Sequence, residues 1–184
     1  MIDKIESRAK LALGTVQFGM NYGVSNQSGQ VGGCQLDEVM ALAYDSGIKL
    51  FDTAPAYGDS ERSLSAYIPN YNDIQIVTKT PHFPRKRANP KDLSEFKSTF
   101  ERSLTNLQVD RVHGLLVHRG TDLLKPGAHS LWAAMELLKA IGKVSFIGAS
   151  VYCPEELLKL LDIYSIDIVQ LPLNILDQRF LQCG

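Results

Sequence analysis

Residues 112–148 read VHGLLVHRGTDLLKPGAHSLWAAMELLKAIGKVSFIG, and this stretch decides the fold. Val112 to His118 and Val144 to Gly148 are short apolar runs bounded by turn residues, the signature of buried strands. Between them Leu131, Met135 and Leu138 recur at helical spacing, and the pattern stops near Gly142, a natural helix end. Strand, helix, strand in one connected piece requires parallel strands joined by a right-handed crossover. The same unit recurs outward in both directions. Leu11 to Thr15, Ile48 to Thr53, Ile74 to Thr78 and Ile166 to Pro172 are further strand candidates. Leu93, Phe96, Phe100, Leu104 and Leu107 place one apolar stripe on a helix, which Asn89 and Pro90 cap and start. Another helix starts at Pro154, with Glu155 and Glu156 placed favourably in its first turn.

Six strands starting about every 31 residues have the spacing of βα units in a barrel. An α/β class with a parallel, helix-covered sheet follows, of the (β/α)8 TIM-barrel type and apparently truncated after its sixth strand. Residues 1–184 contain no linker or low-complexity tract and are expected to form a single, incomplete barrel domain. The polar stretch from Gly19 to Gly33 is expected to be a long loop after the first strand. A dinucleotide-binding GxGxxG does not fit Gly14 to Gly19 (GTVQFG), and a phosphate-binding P-loop would need a Lys-Ser or Lys-Thr where Met20 and Asn21 stand.

Composition removes several function classes. With 19 Lys plus Arg against 20 Asp plus Glu, the net charge of -1 gives no general affinity for nucleic acid or an anionic membrane. No apolar run approaches the length of a membrane span, and the opening MIDKIESRAK is too charged for a signal peptide. Cys34, Cys153 and Cys183 are odd in number and far apart, so reduced thiols, a cytoplasmic setting and no metal site are expected.

The unusual polar groups fall at strand ends. Asp52 closes the second strand, Lys79 the third and His118 the fourth, so topology places them in a row at one rim, with Tyr57 folding over from its loop. Singly, each is an ordinary cap, solvated base or structural residue; jointly they suit proton delivery to a carbonyl. Lysine beside tyrosine is expected to lower the phenol's pKa, Asp52 to hold Lys79, and neutral His118 to donate a hydrogen bond to the substrate oxygen. Lys79 as a Schiff-base nucleophile is the competing reading, against which stands the tendency of Asp52 to raise the lysine pKa.

The ordered set Leu13-Gly14-Thr15-Val16-Gln17-Phe18-Gly19, Phe51-Asp52-Thr53-Ala54 with Tyr57-Gly58, Thr78-Lys79, Arg102-Ser103-Leu104, Leu115 to His118, Gly148-Ala149-Ser150 and Val169 to Asn174 resembles the aldo-keto reductase family. The resemblance implies NADPH-dependent reduction of a small aldehyde or ketone, with Tyr57 as general acid, Asp52 and Lys79 tuning it and His118 orienting the carbonyl. It further implies that Ser150 and Gln170 hold the nicotinamide carboxamide, with Gly14, Thr15 and Val16 close to the cofactor. Ser150 is followed by Val151 where many relatives have asparagine. Family barrels have eight units; six here imply weakened cofactor binding and edge strands open to self-association. A non-catalytic binding or regulatory protein on the same scaffold is the alternative.

Overall fold

A computed structural model describes residues 11–71 and 73–182. The expectations for MIDKIESRAK and for Cys183 lie outside the described residues.

The elements run β1 (Ala12–Gly14), α1 (Val16–Gly19), α2 (Gly33–Asp45), β2 (Leu50–Asp52), α3 (Ser60–Ser65), β3 (Gln75–Lys79), α4 (Pro90–Leu107), β4 (Val112–Val117), α5 (His129–Ala140), β5 (Val144–Ser150), α6 (Pro154–Ile163), β6 (Ile168–Gln170) and α7 (Arg179–Gln182). All six expected strands are present, paired parallel in the order β1-β2-β3-β4-β5-β6. Sequential order with a helix in each crossover is the arrangement of a βα barrel, of which these are six consecutive units. The expected loop from Gly19 to Gly33 begins one element later than its sequence suggests, because residues 16–19 first make the short α1. Asn26 then organises the irregular stretch, its side chain accepting from the Ser28 and Gly29 N–H groups and donating to the carbonyls of Tyr22 and Gly29.

The central strands are buried on both faces, which is why β4 reads as an unbroken apolar run. Phe51, Leu115, Val117 and Ile147 from the strands meet Met40, Leu64, Phe96, Leu107, Met135 and Leu160 from the helices in one core. Helix α4 begins where Asn89 and Pro90 indicate. The Asn89 side chain accepts from the N–H groups of Lys91 and Asp92, and Asp92 accepts in return from the Asn89 N–H at 2.9 Å. That reciprocal box satisfies donors that would otherwise be orphaned at the helix start.

Register positions the strand ends. Asp52 lies opposite Val77, two residues before Lys79, and Lys79 lies opposite Leu116, two residues before His118. The row expected at one rim is therefore a diagonal, climbing two residues at each step, or about 6.6 Å along the strand. Strand tilt produces this stagger as a sheet curls towards a barrel.

Two substitutions separate packing from capping in urea unfolding. Phe96→Ala, which empties a site in the core, is expected to lower stability by about 3–5 kcal/mol. Asn89→Ala is expected to remove about 1 kcal/mol.

Candidate active site

The four expected catalytic positions come together. Lys79 Nζ lies 2.6 Å from Asp52 Oδ1 and donates to the Thr53 carbonyl at 3.1 Å. Its side chain is 1% exposed, so these two oxygens replace the water that the ammonium has lost. The same nitrogen sits 4.9 Å from the centre of the Tyr57 ring. His118, one residue past β4, meets that ring edge-on, with centroids 5.9 Å apart at 89°.

Tyr57 is fixed by its backbone. Gly58 has φ +58, which an L side chain rarely adopts, and a Cβ there would fall 2.3 Å from the Gly19 carbonyl oxygen. Equally, a Cβ on Gly19 would fall 1.8 Å from the Tyr57 carbonyl oxygen. The end of α1 and the Tyr57 loop thus cross at a contact only two glycines allow. Three residues on, the wholly buried Ser60 forms a hydroxyl hub. Its Oγ donates to the Thr15 carbonyl at 2.7 Å and lies 2.7 Å from Thr15 Oγ1 and 3.1 Å from Thr53 Oγ1. Thr15 Oγ1 donates onward to the Asp52 carbonyl at 2.9 Å. Ser60 and Thr15 together therefore tie the Asp52 carbonyl and the Thr53 side chain to the end of β1.

Burial sets the electrostatics. The Tyr57 phenol is pushed above the usual tyrosine range, first by desolvation and then by the charge of Asp52. This corrects the expectation that Lys79 would lower it: Lys79 is neutralised by Asp52, whose own charge also faces the phenol. Lys79 itself is held below the ordinary lysine value because desolvation outweighs the attraction of Asp52. The charge argument against a Schiff base therefore reverses sign. Burial and two occupied hydrogen bonds now argue against that reading, since they leave the amine no approach to a carbonyl. His118 is depressed from 6.5 to about 4 by desolvation, then by His82, Lys79 and Arg119. Its Nδ1 is buried without a partner. A buried unpaired lone pair is tolerated better than a buried unpaired N–H, so the neutral ring carries its proton on Nε2.

The expected cofactor positions line the same rim. Ser150 and Gln170 are register partners at the ends of β5 and β6, and among the described residues neither side chain has a hydrogen-bond partner. Gly14, level with Asp52, is exposed, with open space where a Cβ would project. Val16 is half-buried beside it. Thr15 is fully buried, its hydroxyl committed to the hub. The sequence reading missed His82, whose ring lies 4.4 Å from that of His118, and also Arg119, Thr121 and Tyr152, which share a cavity with His118. His82 and Tyr152 follow strand ends by two or three residues, the only signal that could have marked them.

A sequence model of the Aldo/keto reductase family matches residues 10–182. The chain belongs to the aldo-keto reductase family. Among curated relatives of this aldo-keto reductase, the chloroplastic pyridoxal reductase of Arabidopsis thaliana is 30% identical over 142 residues, covering 70% of this chain and 38% of that protein. The aldo-keto reductase YhdN of Bacillus subtilis is 30% identical over 152 residues, covering 77% and 44%. The chain thus spans less than half the length of these relatives. Among solved structures, a Pseudomonas aeruginosa protein assigned to the aldo-keto reductases superposes with a TM-score of 0.74 at 28% identity, covering 93% of this chain and 66% of its own. The holo form of an aldo-keto reductase from Bacillus halodurans gives 0.72 at 22% identity over 94% and 56%, a likeness of fold. The six strands of the chain correspond to six consecutive βα units of a (β/α)8 barrel.

Ser60→Ala leaves its buried oxygen partners short of a donor and is expected to cost about 1–3 kcal/mol in urea unfolding. The depressed His118 gives a pH signature. As pH falls below 6.5 the unfolded chain takes up a proton that the folded chain refuses until about 4, so stability is lost across that window. Thermal melts should show this slope, and His118→Gln should reduce it without abolishing it, because burial also depresses His82 and His113.

Proposed function

We propose that this aldo-keto reductase converts an aldehyde or ketone to an alcohol with NADPH as hydride donor. The observation that carries the reading is the buried Lys79–Asp52 pair beneath the Tyr57 ring, with a neutral histidine at the ring's edge. A proton donor held in place and a carbonyl-orienting donor are the groups such a reduction needs from the protein.

The unpartnered Ser150 hydroxyl and Gln170 amide suit the carboxamide of a nicotinamide, since together they offer donors and acceptors at adjacent strand ends. Gly14 and Val16 leave room for the cofactor to pass the end of β1, while Thr15 fixes their backbone. When bound, the reduced nicotinamide supplies the hydride to the carbonyl carbon. The choice of NADPH over NADH rests on the family resemblance.

The protein's own work is at the carbonyl oxygen. His118 donates its Nε2–H to that oxygen and orients it. The raised Tyr57 pKa keeps the phenol protonated through neutral pH, so the proton is present when negative charge develops on the oxygen. As it transfers, the ring stays over the Lys79–Asp52 pair, with Lys79 Nζ 4.9 Å from its centre, and the pair tunes the phenol by keeping it protonated until the oxygen takes the proton. A small-molecule carbonyl is the partner this arrangement fits. A cytoplasmic setting is the reading of the few, widely spaced cysteines in the sequence.

Tyr57→Phe removes the transferable proton and preserves the ring. It is expected to lower turnover of an aldehyde by about 10²- to 10⁴-fold. NADPH binding, followed by fluorescence titration, should stay nearly unchanged. An equal loss of binding would assign Tyr57 a structural role and sink the mechanism.

A further inference from the structure

A cavity of about 400 Å³ opens beside His118, lined also by His82, Arg119, Thr121, Tyr152 and Glu156. A second, of about 250 Å³, shares His82, Arg119 and Thr121 with it and extends to Asp122 and Lys125. Arg119 stands where the two spaces meet. Its side chain is exposed, and among the described residues it has neither an ion pair nor a hydrogen bond.

The carboxylates bordering these spaces are engaged or buried. Asp122 is 3% exposed, held by Lys125 Nζ at 2.6 Å and by the Phe83 N–H at 3.3 Å. Glu156 is buried, with one oxygen 3.5 Å from the Tyr152 N–H and the other against Gly120. The charges acting on His118 are those of His82, Lys79 and Arg119, all bases. A free guanidinium therefore faces a space continuous with the carbonyl-orienting histidine. Its planar fork matches a carboxylate or phosphate through two parallel hydrogen bonds, and the Thr121 hydroxyl offers one more donor.

We propose that Arg119 is a specificity residue that binds an anionic group, carboxylate or phosphate, carried by the carbonyl substrate a few bonds from its reacting carbon. The inference rests on the reductase reading above and narrows its substrate class. His82, its ring tilted against that of His118, lines the passage between the two ends of such a substrate. Glu156 opposes the anion, so removing its charge should strengthen the preference.

The test compares matched substrates that differ only in charge: succinate semialdehyde against its methyl ester, and glyceraldehyde phosphate against glyceraldehyde. In the unsubstituted chain kcat/KM should favour the anionic member of at least one pair by about tenfold or more. Which pair shows the preference distinguishes carboxylate from phosphate. Arg119→Ala should bring that ratio close to one, Arg119→Lys should restore part of it, and Glu156→Gln should raise it. Alongside, succinate and inorganic phosphate are titrated against the chain while the imidazole NMR signals of His82 and His118 are followed. Saturable shifts that Arg119→Ala abolishes are expected. Turnover of the neutral members without anionic preference, or with a preference indifferent to Arg119→Ala, overturns the anion site and leaves the reductase reading standing. No turnover of any member overturns the reductase reading, and the titration then decides the anion site: shifts that require Arg119 uphold it, and their absence overturns it.

Discussion

The site depends on a lysine ammonium almost completely removed from water. An ion of that kind costs several kcal/mol to bury, and the cost is tolerable only where fixed oxygens meet it in good geometry. Here one oxygen is the Asp52 carboxylate and the other the Thr53 carbonyl, consecutive positions on one strand end. Their spacing is set by the peptide between them, and that peptide is pinned from behind by Thr15 and Ser60. Around this fixed charge the Tyr57 ring has a surface to lie on. Displacing the Asp52–Thr53 peptide would loosen the ion pair and the ring above it together. The scaffold behind the site is accordingly built of small hydroxylated residues in full burial, each used as a structural joint.

Electrostatics within the cluster show why pairwise reasoning about charges misleads. Lys79 beside Tyr57 suggests an acidified phenol, yet the cation reaches the phenol already compensated by Asp52, and dehydration of the whole cluster favours neutral forms. The resting site thus sets a neutral phenol and a neutral imidazole around one compensated ion pair. Positive character grows instead on the other side of His118, where Arg119 is uncompensated. The two flanks of one imidazole have different electrical surroundings, one balanced and one not.

Much of the architecture was legible in the chain because it follows from local rules. Buried parallel strands need apolar runs on both faces, so β4 and β5 could be read directly; α4 could be read with its start, since Asn89, Pro90 and the apolar stripe all agree. Asp52, Lys79 and His118 were legible because strand ends in a sequential parallel sheet must be neighbours. Their diagonal was not, since register depends on how the strands tilt against one another and leaves no periodic mark. Nor was the hub: Thr15 and Ser60 are 45 residues apart, and nothing in either neighbourhood distinguishes a hydroxyl that joins elements from one that faces solvent. His82 escaped notice because it stands after Pro81 in a polar connection, where its ring contact with His118 is a purely tertiary fact.

The crossing of Gly19 over Gly58 also determines where variation can accumulate. The two backbones touch directly there, and from the long segment between α1 and α2 the Gln30 side chain braces the crossing by donating to the Phe18 carbonyl at 2.9 Å. That segment is organised internally by Asn26 and returns to the scaffold through Val31, whose N–H donates to the Gln17 carbonyl at 2.8 Å. Most residues between these anchors are exposed and meet little packing, whereas a side chain at either glycine of the crossing would run into backbone. The contact acts as a bulkhead: an exposed loop on one side, the Tyr57 backbone on the other.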